Sequence, residues 1–390
     1  MRIPWWLPLL LGVLSAVGPL STDMYLPGFP EIESDFGRPA GTAQITLAAW
    51  FAGLAVGQMT QGPLSDRFGR RAPLFAGSLV FTAASAACAL APNLGLLTAA
   101  RAVAAFGGSA CMVIPRAIIR DLAEGHAAAR LMSQLMLVMG SAPILAPTLG
   151  GAIVAVASWR AIFWICTAFG AFCALLVWLK LPETLAAHHQ QMLRPDELVM
   201  RFASIAVERG FITHALQGGF AMFGLFAYLS GSPPIFIGMF GLAPERYGII
   251  FGICAAGYIG ASQVNARILP RFGFSRVLRA GSWLAVLAAA VLTVFAFAGS
   301  RQLVAIALPV FVFMSSLGFV TPNATIGALA RHAGQAGTAT ALMGTMQFLL
   351  AAASGLLVGL LENGTARPMA CLMLAGAVAA LIADGFRPRA

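Results

Sequence analysis

Asp23 lies in the apolar run that follows Arg2, and it is the only carboxylate that the sequence sets well inside such a run. An acid in hydrocarbon is expensive unless it meets a partner, an aqueous cavity or a proton, so an isolated one marks a coupling site. As its exposure changes, its carboxyl can alternate between charged and neutral forms, which is the chemistry a proton gradient drives. Arg101 lies in the fourth apolar run. If the first run ends near Pro27 and the fourth begins near Leu94, a rise of 1.5 Å per residue puts Asp23 about 6 Å and Arg101 about 10 Å below the same surface. Arg101 is therefore expected to pair with deprotonated Asp23 or to stabilise charge in a cavity. Helix-end capping by Asp23 and snorkelling by Arg101 are the plainer alternatives.

A second group surrounds the segment Gly62 to Arg71 (GPLSDRFGRR), between the second and third runs. The carboxylate of Asp66 at such a mouth can cap a facing helix and interact with its dipole. Arg67 and Gly69 complete the segment, and Arg70, Arg71, Arg120 and Asp121 are the candidates for a charge network that holds this side closed. A solvated loop is the alternative, since the topology of a membrane protein alone would put arginines here. Pro143, Pro147, Gly150 and Gly151 in the fifth run loosen a helix whose freed backbone groups neighbours must satisfy, as a pivot requires. Pro19 and Pro233-Pro234 are expected to bend or break their helices too. Gln217, Phe220, Tyr228, Met343, Met346 and Gln347 are candidate cavity residues, because thioethers and aromatics accept varied apolar ligands.

The elements that must position these residues follow from composition. The 390 residues are 59% hydrophobic and 10% charged, against about 25% charged in soluble domains, so lipid is the solvent. Apolar stretches long enough to cross about 30 Å of hydrocarbon recur along the chain. They predict twelve helical spans at 5–26, 41–63, 73–91, 95–118, 132–156, 161–180, 211–236, 246–268, 279–298, 303–326, 337–361 and 367–385. The first run has no Ala-x-Ala cleavage pattern and reads as a span, not a signal peptide. With the N-terminus inside, 18 of the 24 basic residues fall in inside segments, which predicts cytoplasmic termini and external segments at 28–39 and 362–366. The net charge of +10 is then a topology signal, and nucleic-acid binding is not expected, because no basic cluster is interleaved with exposed aromatics.

The polar stretch 181–210 divides the chain into an N-terminal half, 1–180, and a C-terminal half, 211–390, and reads as a cytoplasmic linker. Arg67-Phe68-Gly69 recurs as Arg271-Phe272-Gly273 about half the chain later. Two related six-helix halves with substrate between them form a recurring transporter plan. Small-residue stripes offer close-packing faces: Gly53 and Gly57, Ala142, Ala146 and Gly150, Gly252, Ala256 and Gly260, Gly355 and Gly359.

Gly62-Pro-Leu64-Ser-Asp66-Arg67-Phe-Gly69-Arg70-Arg71 resembles the G-x-L-a-D-r-x-G-r-R/K signature of the major facilitator superfamily. Ala142-Pro143-Ile-Leu-Ala146-Pro147-Thr-Leu-Gly150-Gly151 resembles the motif of its antiporters, with Ala146 where Gly is usual. Thr22-Asp23-Met24-Tyr25-Leu26-Pro27, Leu181-Pro-Glu-Thr184 and Tyr228-Leu-Ser-Gly-Ser-Pro233 are similar to the Bcr/CflA drug-resistance transporters. Around Arg101 the family's R-x-x-Q-G-x-G pattern has Ala104 and Ala105 where Gln and Gly are expected, so an amide near the arginine is missing. The resemblance implies an all-α, twelve-helix facilitator fold in a bacterial inner membrane and proton-coupled efflux of drugs or related metabolites. It also makes the eleventh helix, starting near Gly337-Thr338, the recipient of the Asp66 cap.

Six cysteines without CxxC or Cys/His spacing support neither a disulfide framework nor a metal site, and no cofactor is expected. The phosphate-binding GxxxxGK[ST], HExxH and GxSxG motifs are absent, which argues against an ATPase or an intramembrane enzyme. The expected partners are a small-molecule substrate, protons and the bilayer, with the chain working as a monomer. A proton-coupled importer of a small metabolite is the competing reading, because fold and coupling residues do not fix direction.

Overall fold

The computed structural model describes residues 6–123, 125–185, 195–332 and 335–387; residues 186–194 of the expected linker, Arg194 among them, lie outside these. The described residues form twelve long helices and one shorter helix, Pro195–Ala206, within the expected linker. The long helices are α1 (Leu7–Asp35), α2 (Gln44–Phe68), α3 (Arg71–Ala89), α4 (Leu94–Leu122), α5 (Gly125–Val156) and α6 (Trp159–Lys180), then α7 (Arg209–Met239), α8 (Pro244–Phe272), α9 (Phe274–Phe297), α10 (Leu303–Leu329), α11 (Ala336–Leu361) and α12 (Arg367–Gly385). Among the described residues ten helices are long and apolar enough to cross a membrane. The others are α2 and α5. In α2 the glutamines Gln44, Gln58 and Gln61 lower the hydropathy, and all three turn inward and are buried, as polar groups in a bundle must. Leu287, Val294 and Leu360 stand exposed on the bundle surface, where acyl chains are as apolar as they are.

The first span is longer than expected and broken. Pro19 cannot donate to the Ser15 carbonyl, and the helix divides into Leu7–Ser15 and Val17–Asp23. Leu26–Gly28 forms a 3₁₀ turn, and Phe29–Asp35 continues the helix with Pro30 in its first turn, a position where a missing N–H costs nothing. Pro27 therefore does not end the span, and the segment 28–39 expected as external loop is helical as far as Asp35. At Pro233-Pro234 the chain leaves the α-helix for a π-helical turn, Pro234–Met239. The repeated Arg-Phe-Gly triplets end α2 and α8, where Gly69 (φ 83°) and Gly273 (φ 73°) supply the left-handed conformation that stops a helix.

Helices α1–α6 pack among themselves, as do α7–α12; two main crossings join the sets, α2 with α11 and α5 with α8, and the Leu26–Gly28 turn of α1 touches α7 and α8. Both crossings are built on glycine. Gly355 brings α11 against Ala48 of α2, and Gly248 of α8 lies so close that an added Cβ would stand 2.6 Å from the Thr148 Cα of α5. The Gly53–Gly57 stripe instead serves packing within the first set, against Ala105 and Ser109 of α4, while Gly260 faces open space. These joining contacts lie toward the end that holds Gly41 and Glu362. At the opposite end lies the charged segment after α2.

Candidate functional site

Asp23 of α1 and Arg101 of α4 both lie beside the break in α1. Asp23 is 5% exposed and has no hydrogen bond or ion pair among the described residues. Arg101, fully buried on α4, donates from Nη1 to the Ser21 carbonyl (3.0 Å) and the Ser21 hydroxyl (2.9 Å). Its guanidinium lies 4.1 Å from the Tyr25 ring centre and 4.2 Å from that of Trp50, with Nε and Nη2 unpartnered. Two aromatic faces and a carbonyl hold the cation, the arrangement ring quadrupoles favour. The Asp23–Arg101 ion pair is thus not formed: similar depth did not bring the two side chains to the same side of α1. The turn that follows Asp23, Leu26–Gly28, instead packs against α7 and α8.

The fifth-helix motif braces this break. A Cβ at Gly150 would collide with the Met24 carbonyl oxygen, and one at Gly151 would stand 2.7 Å from the Pro244 carbonyl carbon and collide with its oxygen. Gly150 therefore seats α1 next to Asp23, and Gly151 seats α8 of the other set. Helix α5 runs unbroken through Pro143 and Pro147. The backbone around Pro147 and Ile144 is met by Gly248 and Gly252.

At the other end of the bundle Arg70, 5% exposed, gathers the charged segment. Its Nη1 donates to Asp66 (2.5 Å) and Ser65 (2.8 Å), Nε to Asp121 Oδ2 (2.7 Å) and Nη2 to Asp121 Oδ1 (3.2 Å). Asp66 does not cap α11: the first turn of α11 has no side-chain cap, and Asp66 is paired instead with Arg70, just past the Gly69 break. Arg120 stands beside that turn, with Nη1 3.5 Å from where a Cβ on Gly337 would be. Arg71 donates to the Trp178 carbonyl (2.6 Å), Arg67 lies over the Phe68 ring, and Gly62 has open space around it, so none of the three joins the Arg70 cluster.

Within the second set, Met343 and Gln347 of α11 pack on Gly218 of α7, and Met346 is part-buried beside them. Tyr228 stacks on Phe251 at 5.5 Å with its hydroxyl unpartnered. Gln217 faces the wrong way for a cavity residue: it is fully buried and donates to Ser282 (3.1 Å) and Asp384 (3.5 Å) inside the second set. At Phe220 the carbonyl is packed by Gly376 of α12, 2.9 Å from an added Cβ. A surface groove of about 870 Å³ lies between α9 and α10 near Arg301, away from all these groups.

The sequence profile described as Major Facilitator Superfamily matches residues 11–356. The chain belongs to the major facilitator superfamily. It is 36% identical to an uncharacterized MFS-type transporter of Bacillus subtilis, over 95% of this chain and 92% of that one. It is 31% identical to the bicyclomycin resistance protein homolog of Haemophilus influenzae, over 97% and 95%. With the chloramphenicol resistance protein of Pseudomonas aeruginosa the identity is 27%, over 96% and 89%. This facilitator also superposes on the D-xylose-proton symporter with a TM-score of 0.77 at 14% identity, covering 98% of this chain and 97% of that one. With a bacterial homologue of the human lysosomal transporter Spinster, inward-facing and unoccupied, the TM-score is 0.75 at 16% identity, covering 98% and 95%. At such identities the likeness to solved structures speaks of fold alone. The protein is a multi-span membrane transporter of small molecules, related to drug-resistance efflux proteins.

Three features of this facilitator were missed among the sequence candidates. Asp384 in the last turn of α12 is another buried acid, held by Arg279 (2.8 Å) and Arg387 (2.9 Å); its place at a helix end hid it. Phe51 of α2 meets Phe226 of α7 (4.0 Å between ring centres) and Phe348 of α11 (6.1 Å), an apolar bridge between the sets. Glu183 closes the charged end, and its signal was the acid in Leu181-Pro-Glu-Thr184. It accepts from the N–H groups of Arg70 (2.8 Å) and Arg71 (3.1 Å) at the start of α3 and fills the space beside Gly69. Partial burial opposes its charge, but the N–H donors of Arg70, Leu185, Arg71 and Thr184 outweigh that and hold the carboxyl below the usual glutamate range. A group so lowered stabilises the fold above the unfolded value of about 4.3 and ceases to as pH falls through the folded value. Glu183→Gln is therefore expected to cost about 0.5–2 kcal/mol at neutral pH, as a lost helix cap does. Thermal unfolding should show a gap from wild type that closes in acid; equal midpoints at pH 7 would remove the cap.

Proposed function

We propose that the chain is a proton-driven exporter of small amphipathic compounds, in which the halves 1–180 and 211–390, joined by 181–210, rock about the α2–α11 and α5–α8 crossings. The observation that carries this reading is Asp23: a buried acid without a partner among the described residues, at the break of α1, where the chain turns onto α7 and α8 of the other half. Proton binding removes the cost of burying its charge, and a rocking motion that wets and buries it in turn makes that binding depend on conformation. The bicyclomycin and chloramphenicol resistance relatives favour export of drug-like compounds. The distribution of basic residues favours a bacterial inner membrane with both termini cytoplasmic, which puts the Arg70 cluster at the inner mouth and the close glycine contacts at the outer one. The Arg70 cluster would then be broken and re-formed as the inner mouth moves. Arg120, a cation beside the positive end of α11, marks a contact better made by an anion in another state. The chain is proposed to act as a monomer.

Cells that carry the protein are expected to accumulate less chloramphenicol or bicyclomycin than cells without it, and a protonophore should abolish the difference. Higher accumulation would reverse the direction, and a difference that survives the protonophore would remove proton coupling. In the same cells a cysteine replacing the exposed Val207 should resist a membrane-impermeant thiol reagent and one replacing Arg38 should react; the opposite pattern overturns the orientation.

A further inference from the structure

We infer that Arg116 on α4 is an anion-recognising residue of the space between the two halves, and that the transported class includes amphipathic compounds bearing a carboxylate. The inference rests on the transport reading above and adds a substrate class to it. Arg116 carries a permanent charge and a planar fork of N–H donors suited to two carboxylate oxygens. Here that fork is unused. Nη2 meets only the Met139 sulfur of α5, at 3.7 Å, and Nε is buried without a partner.

Three other inward-lying arginines are held. Arg70 is held by Asp66 and Asp121, Arg387 pairs with Asp384, and Arg101 lies between Tyr25 and Trp50 with Ser21 as acceptor. Among the described residues Arg116 has no carboxylate, and a part-buried cation without one costs free energy that a bound anion would recover. A purely topological arginine would extend its head into water, but the Nη2 of this one is turned to the Met139 sulfur and its Nε is buried.

Its direction follows from the helix. Residues four apart share a face. One turn back, Met112 has its sulfur against Gly18 of α1; one turn on, Arg120 lies beside Gly337 of α11, in the other half. The stripe of Met112, Arg116 and Arg120 therefore runs along the side of α4 turned toward α1, α5 and α11, and lipid does not face it. Phe51, Phe226 and Phe348 offer an apolar surface between the halves for the rest of such a ligand.

Equilibrium binding to purified full-length protein in lipid nanodiscs, measured by calorimetry with 2-naphthoate and its neutral isostere 2-naphthamide, tests this. Wild type is expected to bind naphthoate about ten- to a hundredfold more tightly than naphthamide, the range for a hydrogen bond to a charged group. Arg116→Gln should lose that preference and keep its naphthamide affinity, which also reports folding, and Arg116→Lys should recover part of it. A wild type with no preference for naphthoate overturns the inference, as does a preference that survives in Arg116→Gln or equal loss of both ligands in both variants. No proton gradient is involved, so failure here leaves proton-driven export standing, and a protein that prefers naphthoate but moves no protons fails the export reading alone.

Discussion

Asp23→Asn is expected to abolish substrate-driven proton movement while leaving a folded, inserted protein. Asparagine has nearly the size of aspartate and keeps its hydrogen-bonding capacity, so the packing around Met24 and Gly150 has no reason to change. What it lacks is the proton. In this conformation Asp23 is buried with no ion pair or hydrogen bond among the described residues, and Arg101 is turned away to Ser21. Removing the carboxyl therefore breaks no salt bridge and leaves no cation newly unpaired, which separates loss of coupling from loss of stability. In reconstituted vesicles with an imposed pH gradient, the variant should still bind neutral compounds but not concentrate them. Substrate-induced proton movement at the wild-type rate in Asp23→Asn would remove this residue from the mechanism. Arg101→Ala is expected to impair transport through a different route, by emptying the space between Tyr25 and Trp50.

Much of this arrangement was legible because hydrocarbon is a severe solvent. An apolar run of about 20 residues has few fates other than a span, so twelve helices and their order follow from length alone. Residue type also carried the charged end: an acid and arginines in a short segment between spans must find one another or water, and Arg70, Asp66 and Asp121 do meet. What stayed hidden was direction about a helix axis. Depth placed Asp23 and Arg101 near each other but not facing, because the break of α1 turns the Ser21 carbonyl toward the arginine and two aromatic rings compete for the cation. Gln217 failed for the same reason. A lone polar residue in an apolar run reads as facing a cavity, yet Ser282 and Asp384 supply its partners inside the second set. The Asp66 cap on α11 was an inference about a relation between two conformations, and one sequence specifies both.

The glycines of α5 separate those conformations in a measurable way. A Cβ at Gly151 would collide with the Pro244 carbonyl of α8, a contact between the halves made only while they are closed at that end. Gly151→Ala is therefore expected to raise the energy of the closed arrangement and leave the opened one untouched. Overpacking of this kind costs about 1–3 kcal/mol, and a backbone atom cannot swing aside as a side chain does. An equilibrium between the two states should shift by roughly 5- to 150-fold. A pair of cysteines can read this. Ala48 of α2 has its Cβ 3.7 Å from a Cβ placed on Gly355 of α11, close to the mean separation of about 3.8 Å in a disulfide. With Ala48→Cys and Gly355→Cys in an otherwise native chain, oxidation should lock the closed state readily; adding Gly151→Ala should slow the cross-link and reduce transport together. Unchanged cross-linking and transport would mean that α8 is not held against α5 at this glycine, and the pivot would have to be sought at the α2–α11 crossing instead.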